Sequence, residues 1–492
     1  MAEPSFNDTR MLPLYRRLLR YAARRRLALS GVAITMLLDI GMNLLKPWPM
    51  AIIVDSVLGT KALPAAASHI VTVLPGGHSA QDLLLWAVLA TVLVFVLGWT
   101  LSLAAKMANI SFGERMQYDL AADVLRHLQR QSLAYHSRRG AGDLMRRVTV
   151  DSGCVATIVR DGLLPVATSV VSLVLMFTVM LQLDPVLTLL ALVVVPPLAM
   201  GVRRFSAPMA ERDYEQQEAE GRLYGVVEES LSGAATVQAF GGEPREERRF
   251  RRITELIMRC TLASTAVQFR FKIWVGTATA LGTAAVLYVG GRHALAGDLS
   301  VGEILVFLSY LSGLYGPLES LMYTSSTLQG AAGSAYRVME VLDAAPEVVD
   351  GPGVLAGRAA GHVRLEEVVF SYEPGRPVLH GVSFEALPGE LVALVGATGA
   401  GKSTIAGLVM RFFDPVSGRV WLDGTDIREL RLDGVRSQVG LVLQESFLFP
   451  MSIADNIAYG RPGASREEVV AAAVAANAEE FIVRLPEGYD TV

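Results

Sequence analysis

The sequence predicts a helical membrane bundle followed by a smaller α/β domain, and three observations lead to this fold class. Hydrophobic residues make up 52% of the 492 residues and charged residues only 19%, which is more apolar than a typical soluble protein. The long apolar runs all lie between residues 27 and 322. The remainder has the size and composition of an ordinary soluble domain and contains a short apolar run that leads into a glycine-rich turn.

Six apolar segments are each near the ~20 residues that a helix needs to cross a bilayer. They span residues 27–57, 83–107, 163–183, 186–202, 273–289 and 301–322. Pro47 and Pro49 interrupt the first segment and Pro196 and Pro197 the fourth, so a re-entrant or core helix remains the alternative for these two. Residues 1–26 precede them as an uncleaved cytoplasmic lead-in, because no small-residue cleavage site follows a short apolar stretch.

The distribution of arginine predicts the orientation of the bundle. The loops after the second and fourth segments are rich in arginine, whereas the loops on the opposite side are nearly bare of lysine and arginine. Basic loops favour the cytoplasmic side, so both termini are expected in the cytosol. The expected location of the chain is the plasma (inner) membrane. Both loops have helical patterns, at 114–131 and 211–229, so the membrane helices are expected to extend into the cytosol with hairpin tips at 132–142 and 232–233.

The chain divides into four predicted parts. The lead-in is followed by a transmembrane domain at 27–330, and residues 331–361 form a connecting helix, at 331–344, and a linker that contains Gly351-Pro352-Gly353. The α/β domain then covers 362–492 and opens with a strand at 363–370. A later helix is predicted after the capping box formed by Ser465 and Glu468.

The glycine-rich turn has the spacing of a phosphate-binding loop. Gly396, Gly401, Lys402 and Ser403 match the pattern G-x-x-x-x-G-K-[ST], and Gly399 is free to adopt a positive φ. Backbone N–H groups can converge on a phosphate only where no Cβ intrudes, while the lysine reaches the β and γ oxygens and the serine hydroxyl ligates Mg²⁺.

The elements around this turn fit the same interpretation. A buried strand is expected at 391–395 and a helix at 403–413. A glycine-rich turn without a ligand is the structural alternative.

Polar residues in the first apolar segment form a candidate translocation path. Asp39, Asn43 and Lys46 lie on one helix face, about 10.5 Å from end to end. Charges in lipid are costly, so this face is expected to meet another helix or a water-filled cavity. A structural polar seam, or a Lys46 that extends to the interface, remains open. Glu303 and Glu319 are weaker candidates in the sixth segment.

Two classes of site are not supported by the sequence. No basic stripe with interleaved aromatic residues is present, so nucleic acid is not an expected partner. Cys154 and Cys260 are too few and too far apart for a disulfide framework or a metal cluster.

Further motifs, taken in order along the chain, resemble the ATP-binding cassette (ABC) exporter family of the multidrug and lipid exporter type. The motifs of the α/β part are Phe370-Ser-Tyr372, Leu379-His-Gly-Val-Ser-Phe384, the phosphate loop, Arg411-Phe-Phe-Asp-Pro415, Val442-Leu-Gln-Glu445 and Ile453-Ala-Asp-Asn-Ile-Ala-Tyr-Gly460. The motifs of the membrane part are Gly142-Asp-Leu-Met-Arg-Arg-Val-Thr-Val-Asp151 and Glu229-Ser-Leu-Ser-Gly-Ala-Ala-Thr-Val-Gln-Ala-Phe240. The resemblance covers essentially the whole chain and implies six transmembrane helices with long cytoplasmic extensions followed by an α/β P-loop NTPase domain.

The resemblance also implies a site for ATP and Mg²⁺. Tyr372 would stack on the adenine. Ser403 and Gln444 would bind the metal, and Gln444 would also contact the attacking water. The phosphate-binding residues would be Gly396, Thr398, Gly399, Ala400, Gly401, Lys402, Ser403 and Thr404. The hairpin tips would be coupling helices that pass closure of the nucleotide domain to the membrane bundle. The implied partners are the lipid bilayer, a second copy or a homologous half-transporter, and a small-molecule, lipid or peptide substrate.

The 492 residues also depart from the family pattern. They contain no Leu-Ser-Gly-Gly-Gln signature, no apolar strand that ends in Asp-Glu after Gln444, and no histidine after Lys402. The expectation is therefore a truncated cassette that binds nucleotide without the water-activating group of hydrolysis, and no catalytic residue in this chain. Two functions remain open: a subunit of an ATP-driven exporter, or a non-hydrolysing nucleotide-binding membrane protein. The six apolar segments argue against a soluble NTPase.

Overall fold

The structure is a computed structural model that describes residues 11–59, 79–355, 357–373, 375–442 and 447–492. The chain forms two compact units, residues 1–131 with 135–346 and residues 132–134 with 347–492. The four-part division of the sequence at residues 26, 330 and 361 stays a prediction.

The regular secondary structure of the first unit is all helical within its described residues. Its helices are α1 (Met11–Arg24), α2 (Arg26–Leu45), α3 (Trp48–Ile52), α4 (Ala80–Gln129), α5 (Leu133–Arg138), α6 (Ala141–Thr149), α7 (Cys154–Ala156), α8 (Leu164–Leu183), α9 (Pro185–Ser232), α10 (Ala234–Ala239), α11 (Glu243–Ala296), α12 (Val301–Gly313) and α13 (Tyr315–Asp343). Two π-helical turns, Ile53–Val57 and Thr157–Leu163, continue α3 and precede α8.

Six helical segments of the described chain are long and apolar enough to cross a membrane, which confirms the predicted number. They are Arg26–Val57, Ala80–Gln129, Ala141–Leu183, Pro185–Ser232, Glu243–Ala296 and Val301–Leu321. The predicted extensions beyond the apolar segments are also present in α4, α9 and α11. The short helix α5 lies within the first predicted hairpin tip, and the short helix α10 directly follows the second.

The adjacent prolines of the fourth segment do not end α9. Pro196 and Pro197 lie inside this helix, and the indole N–H of Trp274 on α11 donates to the Pro197 carbonyl at 2.9 Å. Gly201 makes room for that ring, because a Cβ there would lie 2.6 Å from Cδ1 of Trp274. Packing between α9 and α11 therefore supports the helix where proline has removed backbone donors.

The sixth segment differs from the uninterrupted helix expected at 301–322. It breaks at Leu314, between α12 and α13, because Pro317 has no N–H with which to continue the helical hydrogen bonding from Gly313. Beyond this break, α13 continues without interruption through the connecting helix predicted at 331–344.

Glu303 has a structural role at the start of α12. Its carboxylate accepts from the Ser300 backbone N–H at 2.8 Å and completes a capping box. Asp55 reinforces this end by accepting from the Ser300 hydroxyl at 2.5 Å and from the Gly302 N–H at 2.8 Å. A helix cap thus accounts for this carboxylate, which the sequence had offered as a candidate for the translocation path.

Ion pairs join the segment that contains α6 to the C-terminal half of α13. The side chain of Asp151 is 1% exposed and accepts from two nitrogens of Arg337, each at 2.7 Å. Arg147, 8% exposed, donates to Glu340 at 2.7 Å. Arg139 donates to the same carboxylate at 2.7 Å. Hydrogen bonds from Arg139 and then Arg147 lower the pKa of Glu340 to about 2.

We expect Glu340→Gln to destabilise the first unit by on the order of 1 kcal/mol, because Arg147 loses a charged partner while Glu340 itself is partly screened by solvent. Since the folded pKa is depressed, this stabilisation is complete above the unfolded pKa of about 4.5 and disappears as the pH falls toward 2. Thermal unfolding in detergent should show a Tm difference between wild type and variant at pH 7 that shrinks below about pH 4.5.

Glu247→Gln is the matched control, since Glu247 pairs with Arg251 on the exposed surface of α11. An equal Tm loss in both variants, or a difference independent of pH, would contradict the assignment.

The second unit contains a four-stranded antiparallel sheet in the order β2-β1-β3-β4. The strands are β1 (Val363–Glu373), β2 (Arg376–Ala386), β3 (Ser417–Leu422) and β4 (Thr425–Asp426), and the helices are α14 (Lys402–Val409), α15 (Leu432–Arg436), α16 (Ile453–Ala458), α17 (Arg466–Ala475) and α18 (Glu479–Ile482). Leu365, Val368 and Phe370 of β1 pack with Leu408 of α14 in one apolar core. The strand predicted at 363–370 and the capping box at Ser465 are both confirmed.

The expectation of a buried strand at 391–395 is wrong for this structure. These residues carry no strand assignment, and Leu391 and Val395 are 97% and 90% exposed. A strand is buried only when neighbouring strands pair with it, and within the described residues none does. The following helix is also shorter than predicted: α14 ends at Val409, and Arg411 adopts a φ of +50° while its buried guanidinium bonds the carbonyls of Leu430 and Val349.

Candidate nucleotide-binding site

The glycine-rich turn forms a tight loop in front of α14. Gly399 and Gly401 have φ values of +88° and +89°, in the left-handed region that favours glycine. A Cβ on Gly401 would also lie 2.5 Å from Cδ2 of Leu379. The Ala400 N–H donates to the Ala397 carbonyl at 3.1 Å and closes the turn. Thr398, Gly399 and Ala400 are exposed, so their backbone is accessible to a ligand.

Lys402 extends back over this loop from the first turn of α14. Its Nζ donates to the carbonyls of Gly396 and Ala397 at 2.8 and 2.9 Å. The ammonium group is thereby held above the loop. Ser403 is exposed beside it, and its hydroxyl has no hydrogen-bond partner in the described part of the chain. A lysine charge and an oxygen donor at adjacent positions suit a phosphate and Mg²⁺.

Tyr372 is held beside α14 by aromatic packing and a hydrogen bond. Its hydroxyl lies 3.0 Å from Oγ1 of the buried Thr404. Its ring packs edge-on against Phe370 and Phe413, with centroid separations of 4.9 and 5.4 Å. The residue is still 42% exposed, so part of the ring can stack on a planar base. The structure thus brings Tyr372 and the phosphate loop together through Thr404.

Comparison with protein families agrees with this geometry. Residues 30–318 match the ABC transporter transmembrane region, and residues 379–488 match the ABC transporter model. The chain belongs to the ABC exporter family.

Relatives of this exporter chain include two curated bacterial proteins. The ATP-dependent lipid A-core flippase of Syntrophus aciditrophicus is 32% identical over 412 residues, which are 84% of this chain and 68% of that protein. A multidrug efflux ATP-binding/permease protein of Mycobacterium tuberculosis is 36% identical over 377 residues, 76% of this chain and 31% of the longer relative.

A solved structure extends the similarity to the fold. The structure of a bacterial Atm1-family ABC exporter with ATP bound matches this chain with a TM-score of 0.71 and 30% sequence identity. The match covers 95% of this chain and 79% of the chain in that structure. The chain is therefore a multi-pass membrane protein with an ATP-binding domain, and the resemblance stated from the motifs is confirmed.

One predicted site residue and one missed residue complete the description. Gln444 lies outside the described residues. Phe413 was quoted in the motif Arg411-Phe-Phe-Asp-Pro415 without a role, and the structure places its ring against Tyr372. An aromatic pair directly after the phosphate-loop helix was the available signal.

The candidate translocation residues are joined only in part. Nζ of Lys46 donates to Oδ1 of Asn43 at 2.5 Å and lies 5.9 Å from the ring centre of Phe95. Asp39 is half-buried on the same helix. Glu319, the remaining weaker candidate, lies 3.7 Å from Lys272 of α11. A path through these residues stays a proposal.

We expect Tyr372→Ala to weaken ATP binding about tenfold, since base–aromatic stacking contributes roughly 1–3 kcal/mol. Binding of inorganic tripolyphosphate, which has no base, should change little. Isothermal titration of the purified chain with both ligands measures this difference.

Tyr459→Ala is the matched control, because Tyr459 also packs on an aromatic ring, Phe449, in the same unit. If Tyr372→Ala lost similar affinity for ATP and for tripolyphosphate, the substitution would be disturbing the phosphate loop, and the assignment of Tyr372 to the base would be contradicted.

Proposed function

We propose that this chain is one half of a dimeric exporter that binds ATP with Mg²⁺ and uses it to move an unidentified substrate across the plasma (inner) membrane. The observation that supports this most directly is that Tyr372 and the exposed loop both contact α14, Tyr372 through the Thr404 hydroxyl and the loop through Lys402. The described part of the same chain includes six membrane-spanning candidates. Both termini and the cassette lie in the cytosol in this proposal, in line with the arginine-rich loops.

The residues of the loop have separate tasks in this proposal. Backbone N–H groups of residues 398–401 surround the phosphates, and Lys402 leaves the carbonyls of Gly396 and Ala397 to contact the β and γ oxygens. Tyr372 binds the adenine. Ser403 and Gln444 hold Mg²⁺, which when bound neutralises charge on the phosphates.

The partner in this proposal is a second copy or a homologous half-transporter. Half-transporters of this family typically act as pairs, and ATP binding would close two cassettes on each other. The short helices α5 and α10 at the hairpin tips would then receive the movement and rotate the membrane helices as rigid bodies. The substrate is a small molecule, a lipid or a peptide, and the named relatives include a lipid A-core flippase and a multidrug efflux protein.

We expect Lys402→Ala to reduce the affinity for MgATP by about tenfold to hundredfold, because a charge-assisted hydrogen bond contributes roughly 1.5–3 kcal/mol. Equilibrium binding of a fluorescent ATP analogue to the full chain measures it. Arg484→Ala, which removes an exposed arginine of the same unit, should leave the affinity unchanged. Undiminished binding in Lys402→Ala would contradict the assignment of the site.

A second candidate function is nucleotide binding without turnover by this polypeptide. The observation that favours it is the exposed segment 391–395 before the loop, which pairs with no strand in the part of the chain that the structure describes. Steady ATPase activity of the purified chain that Lys402→Ala abolishes would contradict this candidate. Binding without such activity would support it.

For the translocation path, we expect the double variant Asp39→Leu, Lys46→Leu to change the rate or the substrate profile of transport, because it removes both charges from one face of the first membrane helix. ATP-dependent movement of fluorescent amphiphiles and phospholipids in proteoliposomes, with the partner half present, is the measurement. The control Arg212→Leu, Glu215→Leu removes an exposed ion pair from α9. A rate and profile equal to wild type would exclude Asp39 and Lys46 from the path.

A further inference from the structure

Five arginines form a basic recess where α1 gives way to α2. Arg20, Arg24, Arg25, Arg26 and Arg115 line it, and its volume is about 750 Å³. Four of the five come from the end of α1 and the start of α2, and the fifth comes from α4. The apolar residues Ala23, Leu27 and Ala28 complete the lining.

Two of these arginines are already neutralised. Arg25 makes a bidentate pair with Asp119, at 2.7 and 2.8 Å. Arg24 donates to Asp123 at 3.1 Å. These contacts fix the bend between α1 and α2 against α4. They leave the charges of the other three arginines of the recess unpaired by described residues.

The other three arginines carry positive charge that the described chain does not balance. Arg20, Arg26 and Arg115 are exposed, and none of them forms an ion pair with a described residue. Three converging guanidinium groups attract an anion. Guanidinium suits a phosphate in particular, because its planar donors can bond two oxygens at once.

An apolar face begins directly beside the recess. Leu27, Ile34 and Leu38 are 91%, 57% and 50% exposed, and their spacing of seven and then four residues places them on one face of α2. This helix is the start of the first membrane-spanning candidate. A ligand that fills the recess and follows this face needs an anionic head and a long apolar tail.

We propose that the basic recess binds the headgroup phosphate of an anionic phospholipid, with an acyl chain along the exposed face of α2. The charge on Arg20, Arg26 and Arg115 selects an anionic over a zwitterionic lipid, since each basic residue near a membrane surface favours anionic lipid. The apolar face favours a lipid over free phosphate. The site lies outside the nucleotide-binding unit and does not depend on the proposed transport function.

The test compares two triple variants of the full chain with equal charge change. In R20Q/R26Q/R115Q the recess loses its unpaired charge, whereas in R245Q/R252Q/R259Q three exposed arginines of α11 without a described ion pair are replaced. Native mass spectrometry of each protein, equilibrated with equal amounts of dioleoyl phosphatidylglycerol and dioleoyl phosphatidylcholine, counts the retained lipids.

We expect the wild type and the α11 variant to retain phosphatidylglycerol in preference to phosphatidylcholine, and the recess variant to lose that preference by about tenfold or more. Equal preference in all three proteins, or an equal loss in both variants, would overturn the proposal. Displacement of phosphatidylglycerol by millimolar inorganic phosphate would overturn the assignment to a lipid.

The single variants R26Q and R115Q test the site even if the triple variant misfolds. Each should lower the preference by a smaller factor while the thermal unfolding temperature stays at the wild-type value. A wild-type preference in both single variants would count against the site.

Discussion

The helical unit depends on the ion pair between the buried carboxylate of Asp151 and Arg337. A carboxylate with 1% exposure is tolerated only when a partner compensates for the lost hydration, and the bidentate guanidinium does so. The segment 139–153 and α13 must therefore stay in register, and Glu340 extends the link by receiving both Arg139 and Arg147. Because α13 is the last helix of this unit, a displacement of the first hairpin tip is shared with the end of the membrane bundle.

A few contacts likewise position the residues of the candidate nucleotide-binding site. Thr404 belongs to the helix that follows the loop and also contacts the Tyr372 hydroxyl, so one helix positions both the loop and Tyr372, the proposed platform for the base. Lys402 meanwhile bonds two loop carbonyls. Binding of a phosphate would exchange these neutral acceptors for charged ones, which favours the exchange electrostatically.

Features set by local composition could be predicted from the sequence. The six membrane-spanning segments could be predicted from the length of their apolar runs, and the two helical hairpins from their arginine-rich helical patterns. The loop at Gly396 could be predicted from its glycine spacing. Features set by distant partners could not. The segment 391–395 has a strand-like composition, yet pairing decides whether it is a strand, and Glu303 looked like a membrane charge until Asp55 and Ser300 showed it to be part of a helix cap. The contact of Phe413 with Tyr372 likewise joins residues far apart in sequence.

The most direct test of the link between the first hairpin tip and α13 is hydrogen–deuterium exchange of Arg337→Gln, Asp151→Asn and the double variant. Arg337→Gln is expected to raise exchange in 141–153 and in 334–343 together, because both segments lose the same ion pair. The double variant should exchange no faster than this single variant, since the pair is already broken. Faster exchange confined to 334–343, with 141–153 as protected as in the wild type, would contradict the account.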